Sequence, residues 1–496
     1  MKERKIMEKG SGVLLHISSL PSPYGIGTFG LAARRFVRFL KLSGQKYWQI
    51  LPINPTSFGD SPYQSPSTFA INPYFIDIDL LINKGYLKKD EVKAFVKKSN
   101  NRKVNYSYLF QTRLSLFRIA YPRIYEKENA KIERFYKKQK YWIEDYALFM
   151  AIKEHYNNDI WTKWPNDLKL HKKNALEKTK KELYDDYLFY VTLQYIAYMQ
   201  YRGLKRYANK NGVKIIGDIP IYVAFDSVDV WSHRNEFLFD KRNNPTLVAG
   251  VPPDYFSKTG QLWGNPIYNY QKMEKNDFKW WRKRIARASK LYDVVRIDHF
   301  RGFASYYGIS YGEETAINGT WYKGPGKKII DAINISKGKT HIVAEDLGII
   351  DDEVKKLLKY SNYPGLKVLQ FAFSGELTNP FLPHNYEANS VAYLGTHDND
   401  VMTNFIDDNE EISNRMCNYF ACDKKNLLDK CIDALLNSNA DVTIFQMQDI
   451  LKLKGNVRMN CPGTSSDNWT FRILKKDLNK EVALQMYERT CIAGRY

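Results

Sequence analysis

Short apolar runs recur along the chain with helix-like stretches between them, and this alternation is the clearest structural signal in the sequence. Seven runs read as buried strands: Gly12–Ile17, Tyr47–Leu51, Val213–Ile219, Val294–Ile297, His341–Ala344, Leu366–Phe371 and Val391–Leu394. Between them, "AARRFVRFLKL" (32–42) sets Phe36, Phe39 and Leu40 at helical spacing. "DDEVKKLLKY" (351–360) does the same with Val354, Leu357 and Leu358 behind an acidic first turn. Strands alternating with helices predict an α/β fold around a parallel sheet.

Two stretches break the rhythm. Residues 81–210 are rich in Lys, Glu and Tyr and lack short apolar runs, which predicts a helical insertion subdomain. Residues 225–277 carry "VAGVPPDYFSKTGQLWGNPIYNY" (248–270), a Gly- and Pro-dense composition that predicts a long loop rather than regular structure. Loops of that length are commonly functional. The α/β part is then 1–80, the strand segment 211–224 and the remainder 278–496.

Composition narrows the class. A hydrophobic share of 44% with 26% charged residues is that of an ordinary globular protein, and 496 residues suffice for a large barrel with insertions. Aromatic residues make up 15% of the chain, enough to serve both core filling and platforms for flat ligands. The net charge of +21 raises nucleic acid as a partner, but the lysines are interleaved with acids, as in "RIYEKENAKIERFYKKQKYWIEDY" (123–146). Mixed charge of this kind reads as solvated helix faces, so no nucleic acid is expected. Five cysteines without a CxxC pair indicate neither a disulfide framework nor a zinc knuckle, and fit a reducing cytoplasm. The N-terminal apolar run "GVLLHI" is too short for a signal-peptide core, and no run approaches the ~20 residues of a spanning helix. Neither export nor membrane insertion is expected.

One motif points to a cofactor and is set aside. Gly25, Gly27 and Gly30 form GxGxxG, yet Pro21 and Pro23 separate them from the preceding strand, and the first carboxylate after them is Asp60. Three strand ends carry stronger chemistry: "DVVRIDHFRG" (293–302), "HIVAEDLG" (341–348) and "VAYLGTHDND" (391–400). Carboxylates closing apolar strands read as catalytic when they gather on one face of a parallel barrel, although any one of them alone would serve as a helix cap. Arg296 and Asp298 are two apart and project to the same strand face, where the guanidinium would keep Asp298 ionised. Glu345 follows Ile342, Val343 and Ala344, an apolar setting that would raise its pKa and suit it to general acid work, with Asp346 as competitor. One charged carboxylate and one proton donor on neighbouring strands are what retaining glycoside chemistry requires. His299 is expected to face away from Asp298 and to be structural. "HDND" has donors for an ion, but no second cluster accompanies it, so no metal and no cofactor are expected.

The sequence resembles the amylomaltase, or 4-α-glucanotransferase, family related to the α-amylases. The resemblance runs nearly end to end through "GVLLHISSLPSPYGIGTFG" (12–30), "GDSPYQSPSTFAINPYFIDI" (59–78), "GDIPIYVAFDSVDVW" (217–231), "AGVPPDYFSKTGQLWGNPIY" (249–268), "VVRIDHFRGF" (294–303), "AEDLG" (344–348), "GTHDND" (395–400) and "NCPGTSSDNW" (460–469). It implies a (β/α)8 TIM barrel, with the helical insertion after the second strand and the loop-rich insertion after the third covering the active site. It further implies Asp298 as nucleophile, Glu345 as acid/base and Asp398 as the stabilising carboxylate. Arg296 would then orient Asp298, Asp218 would hold the reacting glucose, Tyr63 would stack on it, and His397 and Asn468 would lie by the same sugar. Asp254, Tyr255, Phe256 and Trp263 would cover the acceptor side. The expected partners are maltooligosaccharides, starch or glycogen chains and glucose, for a monomer or small homo-oligomer. An α-glucan hydrolase would use the same carboxylates with water as acceptor. A nucleic-acid-binding protein or a non-catalytic glucan-binding module would not need them.

Overall fold

The computed structural model describes residues 7–96, 101–253, 257–464 and 466–496. Twelve strands are present among them: β1 (Gly10–Leu14), β2 (Tyr47–Gln49), β3 (Lys214–Pro220), β4 (Leu247–Val251), β5 (Gln261–Pro266), β6 (Val294–Asp298), β7 (Ser305–Ser310), β8 (Thr320–Lys323), β9 (His341–Ala344), β10 (Gly365–Val368), β11 (Ser390–Tyr393) and β12 (Val442–Gln446). Eight of them form a parallel sheet in the order β10-β11-β12-β1-β2-β3-β6-β9. The two ends meet where the Ala344 N–H donates to the Pro364 carbonyl at 2.9 Å, so the sheet curls into a (β/α)8 barrel. Seven of these strands occupy the predicted apolar runs within a few residues. The eighth, β12, was not anticipated.

Helices cover the outside of the barrel because each has one apolar stripe. In Leu31–Leu42, Phe36, Phe39 and Leu40 are all buried. Helix Asp352–Ser361 begins where the Asp351 carboxylate accepts the Val354 N–H at 2.9 Å and stops at left-handed Asn362. Between β2 and β3 the predicted helical insertion contains the 50-residue helix Tyr106–His155, capped by Asn105, packed against the 27-residue helix Tyr184–Lys210.

The segment 225–277 departs from the expected loop. It contains β4 and β5, an antiparallel pair that joins β7 and β8 in a four-stranded sheet of order β5-β4-β7-β8. Residues 305–323, expected within the rest of the barrel, therefore belong to this sheet. Gly and Pro density masked the strands, whose stability comes from pairing with a segment far along the chain. The GxGxxG glycines also have a packing explanation: a Cβ on Gly27 would lie 1.7 Å from the Ile17 carbonyl oxygen, and one on Gly30 would lie 1.9 Å from Asp77 Oδ2.

Candidate active site

The C-terminal strand ends hold a connected set of charges. In β3, Gly217 turns outward, where a Cβ would strike the Tyr292 ring, and so Asp218 turns inward. The register pairs Asp218 with Arg296 on β6, and Arg296 and Asp298 share one face as expected. Arg296 Nη1 lies 2.6 Å from Asp218 Oδ2 and 2.9 Å from Asp298 Oδ1, with Arg296 and Asp218 both buried. Burial opposes the charge on Arg296, but the two carboxylates override it and hold the guanidinium protonated. Burial also pushes the Asp218 carboxyl upward, against the pull of Arg296. Tyr63 donates its hydroxyl to Asp218 Oδ2 at 2.8 Å, while Asp218 Oδ1 has no partner among the described residues. A buried acceptor left open at the bottom of a cleft is a place for a ligand hydroxyl.

Ile297 pairs with Ala344, so the next positions, Asp298 and Glu345, leave neighbouring strands side by side. Glu345 Oε2 accepts the His299 N–H at 2.6 Å and Oε1 accepts the Leu347 N–H at 2.9 Å. Those bonds and Arg296 favour the charged form. Burial, followed by the charge on Asp298, outweighs them and lifts the Glu345 carboxyl well above the usual range. Asp346 points elsewhere, since its Oδ1 accepts the Leu366 N–H of β10 at 2.6 Å. His299 is not on a regular strand: it takes the left-handed conformation at φ 54°, and its ring meets Trp263 edge-on at 4.8 Å. Burial, reinforced by Arg301, lowers the His299 pKa to about 3, so the ring is neutral.

Asp398 follows β11. Its Oδ1 accepts from Asn460 Nδ2 at 2.6 Å and lies 3.4 Å from His397 Nε2. The His397 ring, its pKa lowered by burial, stacks on Tyr63 with centroids 5.3 Å apart and planes within 6°. Trp469 closes the cluster, 5.6 Å from Tyr63 and 6.0 Å from His397. Asn468 lies in the segment that closes this cluster. Its amide accepts from the Cys461 N–H at 2.9 Å and donates to the Thr464 carbonyl at 3.0 Å, so it shapes its own loop. Asn460 and Trp469, in the same segment, are the members that reach Asp398 and Tyr63. The motif "NCPGTSSDNW" flagged the segment, but no spacing rule distinguished which of its residues face inward.

Trp263 sits on β5, and its carbonyl accepts from Gln64 Nε2 at 3.2 Å, tying the small sheet to the loop that carries Tyr63. Asp254, Tyr255 and Phe256 lie outside the described residues. Among the described residues no group of three or more His, Cys, Asp or Glu side chains is placed to hold a metal ion, and no helix is long and apolar enough to cross a membrane.

A (β/α)8 barrel with four carboxylates, an arginine and stacked aromatics at its C-terminal face has the layout of a glycoside-processing enzyme. Comparison with known proteins identifies which. The 4-alpha-glucanotransferase family model matches residues 15–477. The 4-alpha-glucanotransferase of Clostridium butyricum is 46% identical over 97% of this chain and 100% of its own length. That of Thermus thermophilus is 40% identical over 96% and 97%. Amylomaltase from Streptococcus agalactiae, solved in complex with acarbose, superposes with a TM-score of 0.95 at 39% identity, covering 98% of this chain and 100% of that one. The chain belongs to the 4-α-glucanotransferase family.

Proposed function

We propose that the chain moves α-1,4-glucan segments between maltooligosaccharides, and between starch or glycogen chains, by double displacement with Asp298 as nucleophile. The pairing of Asp298 with Glu345 carries this reading: one carboxylate sits on a guanidinium at 2.9 Å, and its neighbour is held protonated by burial. In the first half, Asp298 attacks the anomeric carbon while Glu345 gives its proton to the departing 4-oxygen. A glycosyl ester forms on Asp298 and the leaving chain departs as an alcohol. In the second half, Glu345 removes the proton from an incoming 4-hydroxyl, which attacks the same carbon and frees Asp298. Asp398, oriented by Asn460 and His397, faces the positive charge that develops on the ring. Asp218 and Tyr63 hold the reacting glucose. Five unpaired cysteines are in keeping with a reducing, cytoplasmic setting.

Transfer and hydrolysis share the glycosyl-enzyme, so the choice lies in the acceptor. Trp263, on β5 and packed edge-on against His299 next to Asp298, would hold a sugar ring and exclude water, together with Asp254, Tyr255 and Phe256 a few residues before it in the sequence. Incubation with maltotriose tests the proposal. A transferase yields a ladder of shorter and longer oligosaccharides with nearly constant total reducing ends. Reducing ends that rise in step with maltotriose consumption would mark a hydrolase, and an unchanged substrate would contradict both.

A further inference from the structure

The helical insertion carries an open groove that the transfer reaction does not use. It lies between helices Tyr106–His155 and Tyr184–Lys210, has a volume of 620 Å³, and its lining includes Arg118, Tyr121, Tyr125, Glu126, Tyr184 and Asp185, with Pro122 and Leu188 as further apolar surface. Cavities of ~300–1,000 Å³ are the usual size for small-ligand sites. Tyr121 and Tyr125 occupy successive turns of one helix, with ring centroids 6.1 Å apart. The Tyr121 hydroxyl donates to Asp185 Oδ1 at 3.0 Å, which joins the two walls. Tyr184 is 53% exposed yet stays stacked on Tyr187 at 6.4 Å rather than turning into the core. An exposed ring held in place at the edge of a cavity marks an interaction surface.

The polar groups select the ligand. Arg118 is engaged by Glu154 and Asp186, each at 2.7 Å, and its guanidinium lies 4.2 Å from the centre of the Phe189 ring, so its charge is already matched. What remains is a set of ring faces bordered by the carboxylates of Asp185 and Glu126. Phosphate polymers and anionic lipid surfaces are repelled by that border, although the chain as a whole carries +21. A neutral polyhydroxylated chain fits: its C–H faces lie on the tyrosines and its hydroxyls donate to the carboxylates. The groove is also remote from the catalytic cleft. Tyr106, whose hydroxyl donates to the Trp469 carbonyl beside Tyr63, starts the long helix. Tyr125 is nineteen residues further along it, roughly 28 Å at ~1.5 Å per residue.

We infer that this groove is a second α-glucan-binding site, which anchors a long polysaccharide on the helical insertion while another part of the same chain reacts. The inference rests on the glucan-transfer reading. Anchoring raises the effective concentration of polymer ends at the cleft and leaves short donors unaffected.

Tyr125→Ala and Tyr184→Ala, singly and together, test the site by native electrophoresis in gels with and without amylopectin and by kinetics on amylopectin and maltotriose. The double variant should bind amylopectin at least threefold more weakly and show a KM for amylopectin raised by a similar factor, with kcat and KM for maltotriose unchanged. Tyr125→Phe should retain binding, because the ring face rather than the hydroxyl makes the contact. Unchanged retardation of the double variant would overturn the inference, as would a parallel loss on maltotriose. Amylopectin binding that persists while the sedimentation mass drops would overturn it too, by making the groove a contact between copies of the chain. A wild-type protein inert on maltotriose but retarded by amylopectin in a Tyr125- and Tyr184-dependent way would keep the site and refute the transfer mechanism instead.

Discussion

The backbone N–H of His299 donates to Glu345 Oε2 at 2.6 Å, so the residue that follows the Asp298 strand positions the carboxyl at the end of the neighbouring one. This bond exists because the chain leaves β6 in a left-handed turn at His299, which aims the N–H across the barrel mouth. Nucleophile and acid/base are thereby held by backbone as well as by side chains.

The elevated Glu345 carboxyl sets the pH dependence of the first half-reaction. A proton donor works below its pKa, so kcat/KM for maltooligosaccharides should fall as pH rises through that value. A glycosyl fluoride, whose leaving group needs no proton, should show no such basic limb in its glycosylation step. A basic limb of equal steepness for both donors would remove Glu345 from proton donation.

Arg296 bridges two carboxylates, and its loss should be felt in stability as well as turnover. Arg296→Met leaves Asp218 buried without its cation, a situation that costs about 3–5 kcal/mol. Because burial already raises the Asp218 carboxyl, the variant's stability should be greatest below the ordinary carboxylate pKa and fall as pH rises above it. Adding Asp218→Asn should restore part of the loss at pH 8. Denaturant melts of the single and double variants decide this, and strictly additive losses would contradict the coupling.

Acceptor recruitment is assigned to Trp263, which lies edge-on to His299. Trp263→Ala should lower transfer more than hydrolysis, so that new reducing ends rise relative to transferred segments. Total reducing sugar against product-length distribution measures the ratio. An unchanged ratio would remove Trp263 from acceptor selection.

Asp449 offers a test of fold energetics away from the cleft. It is fully buried; its Oδ1 accepts the Met402 N–H at 2.7 Å, its Oδ2 has no partner among the described residues, and burial pushes its pKa to about 7. A carboxyl raised in the folded state favours folding most below its unfolded pKa, and that contribution is lost as pH climbs to about 7. Asp449→Asn should therefore match the wild type near pH 4 and exceed it at pH 8, by at most about 4 kcal/mol. Thermal melts at the two pH values check the sign, and a variant less stable at pH 8 would contradict the assignment.

The parallel α/β pattern was legible because seven of the barrel strands coincide with short apolar runs separated by helical stretches, and closure into a barrel was implied only by the family resemblance. β12, "VTIFQ", escaped notice because Thr443 and Gln446 interrupt the apolar run, and both are buried at 0% and 1% exposure. The small sheet was illegible for a different reason: β4 pairs with β7, about sixty residues away, and neither local pattern announces it. In the site, Arg296, Asp298 and Glu345 were readable from strand parity and apolar flanks, whereas Asp218 was reached only through the family resemblance. Asn460 and Trp469 were not, because their loop is shaped by bonds such as those of Asn468 that have no sequence period. The conformation of His299 was missed because parity holds only while the chain stays extended, and it turns at that residue.

Double displacement passes through a covalent glycosyl-enzyme on Asp298, which can be trapped. Glu345→Gln should accept a maltotriosyl unit from α-maltotriosyl fluoride yet resolve it slowly, since no base remains to activate an acceptor. Peptide mass mapping should then show one maltotriosyl residue on the peptide that contains Asp298. The adduct should be absent in the double variant with Asp298→Asn, which alone should lose more than about a thousandfold in rate, or ~4 kcal/mol of barrier. Fluoride release without any adduct, or an adduct on another residue, would contradict the account.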